Sequence, residues 1–299
     1  MTNLSIGMIG LDTSHAIAFT KLLNNPHEKH HVKGGKVEVA FPGGSSHSLL
    51  SKERVDKYKE EVQEYGVKIV NSIEAVAEES DAIMLLSMDG SLHLEQLRKI
   101  IPFRKPVFID KPFSLNSIEA LHMKDLAGSD QVPIMSSSAL RFADNLQEAL
   151  VLQDKGEIIG ADCYGPLEFI REQPGYFWYG IHAVEMLYSI LGTGAHAVEV
   201  LATDRHHLLT GKWKDGRIGT VRGNLSGNYE FGAVIHFEKG SVHINASNNK
   251  KTYYASLLER VIAFFLNGKP HVSIEETLEI IRFIELSNQS KPTVVDAAE

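Results

Sequence analysis

The residues of this chain best suited to chemistry begin with Lys111, which follows Asp110 at the end of the apolar run 107–109. That run is rich in β-forming residues and bounded by prolines, which predicts a short buried strand. Pro112 restricts the lysine to an extended conformation. Because ligands bind at the carboxyl ends of strands in open α/β sheets, we expect an ammonium beside a carboxylate over a crevice. An exposed ion pair of little consequence is the equally weighted alternative.

A second candidate site is the turn after the first apolar run, which reads Gly10-Leu11-Asp12-Thr13-Ser14-His15. A dinucleotide-binding turn carries glycines at its first, third and sixth positions, and only Gly10 is present here. A carboxylate at position 12, about 5 Å from a phosphate, would repel it by roughly 3 kcal/mol at an effective dielectric near 20. Either Asp12 turns away to cap the helix, or the nucleotide is not held in the common manner. The hydroxyls of Thr13 and Ser14 remain possible phosphate donors.

The ends of two further predicted strands also carry polar residues. The second strand lacks the acidic residue that accepts from the adenosine ribose, and Ser45 lies in the turn that follows, with Lys52 and Arg54 downstream. Hydroxyls and cations in place of the acid weakly favour NADP over NAD, although a plain glycine-rich turn is the other interpretation. After the fourth strand come three polar candidates at the same edge of the sheet: Ser87, Asp89 and His93.

The composition restricts the class of protein. Hydrophobic residues make up 43% and charged residues 23% of the 299 residues, which is ordinary for a globular chain. A net charge of -8 without a Lys/Arg cluster argues against nucleic-acid binding. One cysteine, Cys163, excludes an internal disulfide, and neither a secretory signal nor a membrane-spanning run is recognised. We therefore expect a cytoplasmic protein with a small-molecule ligand.

The order of elements predicts two domains. Apolar runs alternate with helical patterns through the first 110 or so residues, which indicates βαβ units and a doubly wound parallel sheet. From Ile159 onward most of the predicted strands succeed one another through short turns, which indicates a mostly antiparallel sheet. We predict a Rossmann-like domain over 1–120 and an α+β domain over 121–299.

Taken together, these motifs resemble the glucose-fructose oxidoreductase, inositol dehydrogenase and rhizopine-catabolism family, Gfo/Idh/MocA. Its Glu-Lys-Pro motif matches Asp110-Lys111-Pro112, and its Pro-Asn-x-x-His motif resembles the segment 88–93 with one extra residue before the histidine. Arg141-Phe142 is similar to its Arg-Phe, and the segment 180–185 to its Gly-x-His-x-x-Asp. The resemblance extends over essentially the whole chain.

The resemblance implies the roles of individual residues. Lys111 would hold and polarise the reacting oxygen, and His182 would exchange the hydroxyl proton as hydride leaves the carbon. The family places an aspartate four residues before this histidine, where this chain has Trp178. Tyr176, Tyr179 or Glu185 would then have to orient the imidazole. By the same resemblance, Lys111 and His182 are expected to meet in one pocket.

Other candidates concern the substrate and metals. Tyr176, Trp178 and Tyr179 are expected to stack on a sugar ring or to belong to the core, and Arg141 to hold a substrate oxygen or to form a salt bridge between domains. Three histidines of the predicted crevice, His15, His93 and His182, are too irregularly spaced for a metal motif, so no metal site is expected. The cofactor-site prediction comprises ten residues: Gly10, Asp12, Thr13, Ser14, His15, Ser45, Ser87, Asp89, His93 and Asp110.

The resulting prediction is an NAD(P)-dependent oxidoreductase that acts on a sugar, cyclitol or related polyol. By the resemblance, its open sheet packs against a second subunit in a homodimer or homotetramer. Two alternatives stay open: a non-catalytic nucleotide- or sugar-binding regulatory protein, and an NAD-dependent glycoside hydrolase. Fold alone does not decide among them.

Overall fold

The computed structural model describes residues 3–46, 48–170 and 173–290. The chain divides into two compact units, one made of residues 1–139 and 251–278 and the other of 140–250 and 279–299. The sequence-based boundary at 120 treats each domain as one continuous segment. In the structure, a segment of about thirty residues from the carboxyl-terminal half belongs to the first unit.

The first unit contains an all-parallel six-stranded sheet in the order β3-β2-β1-β4-β5-β6. This order reverses between β1 and β4, where open sheets of this kind bind their ligands. The strands are β1 (Leu4–Ile9), β2 (Gly35–Phe41), β3 (Lys68–Ile69), β4 (Ala82–Leu85), β5 (Val107–Ile109) and β6 (Ile134–Ser136). Residues of β4 and β5 are fully buried, as the predicted continuous apolar runs require.

The first unit also contains α-helices. They are α1 (Ser14–Asn24), α2 (Leu49–Glu64), α3 (Ile73–Glu78), α4 (His93–Ile100), α5 (Ser117–Ser129) and α8 (Tyr253–Asn267). Ser72 and Asn116 each accept a backbone N–H three residues on, at the starts of α3 and α5. Helix α8 packs against α1, and Ile262 of α8 lies so close to Gly34 and Gly35 that a Cβ at either glycine would clash with it.

The second unit is built on a six-stranded sheet in the order β12-β11-β7-β10-β9-β8. Its strands are β7 (Ile158–Pro166), β8 (Ala195–Ala202), β9 (His206–Trp213), β10 (Ile218–Asn224), β11 (Gly232–Phe237) and β12 (Gly240–Asn245). Four of the five neighbouring pairs are antiparallel, which confirms a mostly antiparallel sheet. The exception is β7 with β10, which run parallel because α7 (Gly180–Leu191), β8 and β9 form the connection between them.

Two further helices complete the chain: α6 (Asp144–Leu150) and α9 (Ile274–Gln289), the latter shared by the two units. The pattern predicts α6 up to Asp154, whereas it ends at Leu150. Beyond Leu150, the backbone carbonyls of Lys155 and Glu157 accept hydrogen bonds from backbone N–H groups in the turn between β11 and β12. Hydrogen bonds to a distant segment are therefore made here in place of a longer helix. No helix among the described residues is long and apolar enough to cross a membrane.

Candidate active site

Gly10 is needed where β1 gives way to α1. Its φ of +93° is in the region that favours glycine, and a Cβ there would lie 2.4 Å from the backbone nitrogen of Ser87. The one glycine that the turn retains therefore lets the ends of β1 and β4 approach each other at the switch point of the sheet.

Asp12 neither caps α1 nor faces an open crevice. Its carboxylate is buried and accepts from the backbone N–H of Met88 at 2.9 Å and from the hydroxyl of Ser51 at 2.7 Å. Thr13 is the cap, because its hydroxyl accepts from the N–H of His15. The negative charge of Asp12 is therefore compensated by two hydrogen bonds inside the protein.

A chain of hydrogen bonds extends from Asp12 along the carboxyl edge of the sheet. The Ser51 hydroxyl also accepts from the N–H of Ser45 at 2.8 Å, and the Ser45 hydroxyl donates to Asp89 at 2.9 Å. Asp89 in turn caps the short 3₁₀ helix 90–92 through the N–H of Ser91. Ser45 and Asp89 are buried, so the structure uses them to join the ends of β2 and β4.

His93 joins the ends of β4 and β5. The ring is fully buried, with Nε2 2.8 Å from the carbonyl oxygen of Ser87 and Nδ1 3.1 Å from that of Phe113. The Ser87 hydroxyl accepts from the side-chain amide of Gln96 at 2.8 Å. Both residues thus organise the loop after β4.

A cavity of about 240 Å³ lies next to this loop in the first unit. It is lined by Phe41, Gly43, Gly44, Ile73, Leu92, Glu95, Gln96 and Lys99. The Oε1 atom of Gln96 is buried and has no hydrogen-bond partner. A buried acceptor without a donor is costly, and the amino group of a purine would satisfy it.

The amino terminus of α1 offers a second feature that fits a nucleotide. Among the described residues, the backbone N–H groups of Thr13 and Ser14 donate to no protein acceptor, and Ser14 is exposed. Unpaired N–H groups at a helix amino terminus bind phosphate. With the cavity beside Gln96, the residues of the first unit fit a dinucleotide, provided that Asp12 keeps its two donors.

Lys111 follows β5 at the same edge, and Asp110 before it is paired with His15. The Nδ1 atom of His15 lies 2.6 Å from Oδ2 of Asp110, and both side chains are almost entirely buried. Asp110 Oδ1 is buried and has no hydrogen-bond partner. The edge of the sheet therefore brings one carboxylate, one imidazole and one amine together.

The charges of these groups are coupled. Burial by itself raises the pKa of Asp110, but the His15 ring and Lys111 outweigh it and hold that pKa below its ordinary value. Burial lowers the pKa of the half-buried Lys111, and Asp110 opposes this in part. An amine with a lowered pKa can take up and release a proton closer to neutrality than an exposed lysine.

The other candidate residues lie in the second unit, where the Arg141 side chain forms a salt bridge. Its Nη1 atom donates to Oε2 of Glu185 on α7 at 2.7 Å, and both side chains are buried. The salt bridge of Arg141, expected between domains, therefore lies within one unit. Its partner, Glu185, is the residue that the sequence suggested as a substitute partner of His182. Because removal of one partner strands the other charge, this pair is a structural element of the unit.

His182 lies in the first turn of α7 among aromatic rings. The ring centroids of Tyr179 and Phe231 are 6.0 and 5.7 Å from that of His182, both edge-on. Tyr176, which the sequence suggested as a partner of His182, has other partners. Its hydroxyl lies 2.8 Å from Nδ1 of His207, and its ring is buried beside Phe169. Burial also raises the pKa of the Tyr176 hydroxyl.

The predicted residues therefore fall into two groups. Gly10 to His15, Ser45, Ser87, Asp89, His93, Asp110 and Lys111 meet along one sheet edge, and Arg141, Tyr176, Trp178, Tyr179 and His182 belong to the second unit. The sequence does not predict the hydrogen-bond roles of Ser51, Gln96 and His207. Ser51 and His207 contact Asp12 and Tyr176, which are 39 and 31 residues away along the chain. Among the described residues, no three His, Cys, Asp or Glu side chains are grouped as metal ligands.

The strand order and the polar edge define a nucleotide-binding Rossmann domain. Residues 5–138 match the family model described as an oxidoreductase family with an NAD-binding Rossmann fold. This match confirms, over residues 5–138, the resemblance of the sequence motifs to the Gfo/Idh/MocA oxidoreductase family. No curated protein sequence matches the chain.

Solved structures share the architecture of the whole chain. Scyllo-inositol dehydrogenase of Lactobacillus casei, solved with NAD(H) and scyllo-inositol, has a TM-score of 0.76 at 17% identity, with 96% of each chain covered. UDP-N-acetylglucosamine 3-dehydrogenase of Acidithiobacillus ferrooxidans has a TM-score of 0.77 at 13% identity, covering 97% of this chain and 98% of that one. At these identities the likeness establishes the fold.

Proposed function

We propose that this protein is an NAD(P)-dependent oxidoreductase that acts on the CH–OH group of a sugar, cyclitol or related polyol. The observation that carries the proposal is Lys111, a half-buried amine with a lowered pKa at the carboxyl end of β5 in an NAD-binding Rossmann domain. Similarity of the fold to dehydrogenases of an inositol and of a nucleotide sugar supports the class of substrate.

Each step of the proposed reaction is assigned to particular residues of the chain. The Gln96 cavity would hold the adenine, and the N–H groups of Thr13 and Ser14 the pyrophosphate. When bound, the nicotinamide supplies the acceptor or donor of hydride. Lys111 binds the oxygen of the substrate and takes the hydroxyl proton, and His182 is proposed as a second group in proton exchange, as in the family.

The choice between NAD and NADP depends on the end of β2. Ser45 is buried and its hydroxyl donates to Asp89, so it is not available to a ribose phosphate. The weak preference for NADP that the sequence suggested now rests on Lys52 and Arg54. The Nη1 atom of Arg54 lies 3.8 Å from the sulfur of Met88, beside the loop after β4.

Titration with NADH and with NADPH, followed by the fluorescence of the nicotinamide, tests cofactor binding. We expect at least one to bind, and Gln96→Leu to weaken binding about tenfold, since loss of one buried hydrogen bond costs about 1.4 kcal/mol. Gln63→Leu, an exposed position on α2, is the matched control and should bind as the unchanged protein does. Failure of both reduced cofactors to bind would exclude the dehydrogenase.

A non-catalytic binding protein of the same fold is the second candidate, favoured by Trp178, which replaces the aspartate expected before His182. It predicts that a cofactor binds while no polyol is oxidised. A panel of inositols and aldoses, monitored for reduced cofactor, separates the two candidates. Formation of reduced cofactor with any of them contradicts the binding protein.

We further propose that a second copy of the chain covers the outer face of the sheet in the second unit. A groove of about 930 Å³ runs along this face and contains side chains of both charges, among them Asp162, Arg205, Arg222 and Glu230. Exposed Ile218 and Leu201 add apolar area to the same sheet. Light scattering should give the mass of a dimer or tetramer, and a monomer at micromolar concentration would contradict this arrangement.

A further inference from the structure

The turn after β2 folds back over the end of β1. Its residues 42–46 form a strap with the sequence Pro-Gly-Gly-Ser-Ser, in which two successive glycines are in the left-handed region, with φ of +62° at Gly43 and +104° at Gly44. Two such glycines permit the reversal of direction. The carbonyl oxygen of Pro42 accepts from the backbone N–H of Leu11 at 2.7 Å. The strap therefore lies directly against the turn between β1 and α1.

The strap covers the surface on which a dinucleotide-binding turn receives its ligand. A Cβ built on Gly43 would lie 3.3 Å from the Cα atom of Gly10 and 3.8 Å from Oγ of Ser87, so the strap is in close contact with the ends of β1 and β4. Gly10, Leu11 and Asp12 are buried. In domains of this class the pyrophosphate approaches the backbone at this turn. Here the backbone of the strap occupies that approach.

The hydroxyl of Ser45 fastens the strap. In the order of the sheet, β1 lies between β2 and β4. Ser45 follows β2 and Asp89 follows β4, so the 2.9 Å hydrogen bond from the Ser45 hydroxyl to the Asp89 carboxylate crosses the carboxyl end of β1. The backbone N–H of Ser45 donates to the hydroxyl of Ser51 on α2 at 2.8 Å. Ser45 thereby ties the strap to both sides of the switch point.

The strap also lies between the two halves of the proposed cofactor site. Gly43 and Gly44 form part of the wall of the Gln96 cavity, and Gly43 is at the same time in contact with Gly10. The N–H groups proposed for the pyrophosphate follow Gly10 at the start of α1. A dinucleotide that occupies both halves has to pass through the space that the strap fills. The bound cofactor and the closed strap therefore exclude each other.

The closed position depends on hydrogen bonds more than on packing. Apart from the ring of Pro42 the strap has no apolar side chain, and its two glycines leave the backbone free to turn. Segments with few buried apolar contacts open at low cost. We propose that the strap is a gate, which Ser45 latches across the cofactor cleft and which opens to admit a nicotinamide cofactor. The identity of that ligand rests on the proposed oxidoreductase function. Since only the open form binds, the apparent affinity is lowered by the fraction of closed protein.

Removal of the latch should tighten cofactor binding. We expect Ser45→Ala to raise the affinity for NADH or NADPH about fivefold, and the association rate by a similar factor, because the closed form loses one hydrogen bond. Titration and stopped-flow measurement of nicotinamide fluorescence give the two quantities. A serine that contacts the cofactor itself would give the opposite sign. Unchanged or weaker binding in folded Ser45→Ala overturns the inference.

Two further variants isolate the latch. In an Asp89→Ala background, Ser45→Ala should change the affinity no further, because its partner is already absent. Ser129→Ala is the matched control, since it removes an exposed hydroxyl on α5 that donates to the carbonyl of Asp125 at 2.8 Å, and it should leave the affinity unchanged. Circular dichroism verifies that each variant is folded. An equal gain from Ser45→Ala with and without Asp89 would show that their hydrogen bond is not the latch.

Hydrogen exchange reports on the strap without turnover. Mass spectrometry of peptides that cover residues 42–46 should show faster exchange in Ser45→Ala than in the unchanged protein, in the absence of cofactor. Saturating NADH or NADPH should also accelerate exchange there in the unchanged protein, whereas a segment that clamps a bound cofactor would be protected. If a cofactor binds, protection of the strap or equal exchange in the two proteins overturns the gate and leaves the proposed function intact. Faster exchange in Ser45→Ala without binding of either cofactor would contradict the proposed function and leave the latch intact.

Discussion

Replacement of Lys111 by alanine is expected to lower kcat for polyol oxidation by roughly 10²–10⁴-fold, the usual contribution of a positioned acid or base. The amine lies at the carboxyl end of β5, its pKa is lowered by burial, and it follows the buried Asp110. Removing it leaves the substrate oxygen without the group that takes its proton. Steady-state rates of cofactor reduction measure the effect.

Lys57→Ala is the control for this experiment. Lys57 is exposed on α2 in the same unit and lines no proposed site, so it tests for an effect of losing one lysine charge from this unit. We expect its kcat to stay within about twofold of the unchanged protein, since surface substitutions seldom exceed 0.5 kcal/mol. Equal losses in the two variants, or full activity of Lys111→Ala, would remove Lys111 from the proposed chemistry.

Glu185→Ala is expected to lower the free energy of unfolding of the second unit by about 3–5 kcal/mol. The substitution leaves the buried guanidinium of Arg141 without the carboxylate that it contacts at 2.7 Å. Both tryptophans of the chain, Trp178 and Trp213, belong to this unit. Tryptophan fluorescence during urea denaturation therefore reports on the unit that carries the substitution.

The matched control is Glu199→Ala. Glu199 contacts Lys212 at the same 2.7 Å, but both side chains are exposed, and such pairs contribute about 0–1 kcal/mol. The double variant Arg141→Met/Glu185→Met should lose less stability than Glu185→Ala, because no charge remains buried. Similar losses for Glu185→Ala and Glu199→Ala would show that the Arg141 pair has no structural role.

The strand order of the first unit illustrates what a sequence can predict. Short apolar runs alternating with capped helices sufficed for βαβ units, because the pattern of burial is local and each cap is read within three residues. The sequence does not predict that α8 belongs to the first unit. Its apolar face predicts that it packs, but not that its partners are α1 and the glycines at positions 34 and 35.

Asp12 shows the corresponding limit at the candidate site. Its place in the turn suggested repulsion of a phosphate, and the sequence offered a helix cap as the remedy. The structure instead pairs it with the N–H of Met88 and the hydroxyl of Ser51, which are 76 and 39 residues away. No local pattern predicts such partners, because they depend on which strand ends lie side by side.

His15 and Glu185 make the same point about chemistry. Both were considered from the sequence, His15 for the cofactor and Glu185 as a substitute partner of His182. The structure gives each a different partner, Asp110 and Arg141. Residue type and spacing identified these groups as candidates, whereas their pairing required the fold.

The return of residues 251–278 to the first unit has a consequence for biosynthesis. Helix α8 covers α1 and encloses His15 through Tyr254, so the nucleotide-binding unit lacks part of its packing until the ribosome has added nearly the entire chain. Residues 140–250 of the second unit are synthesised before then, but residues 279–299, which also belong to it, follow. Each unit therefore needs residues made late in synthesis, unlike the vectorial order in which multidomain chains usually mature.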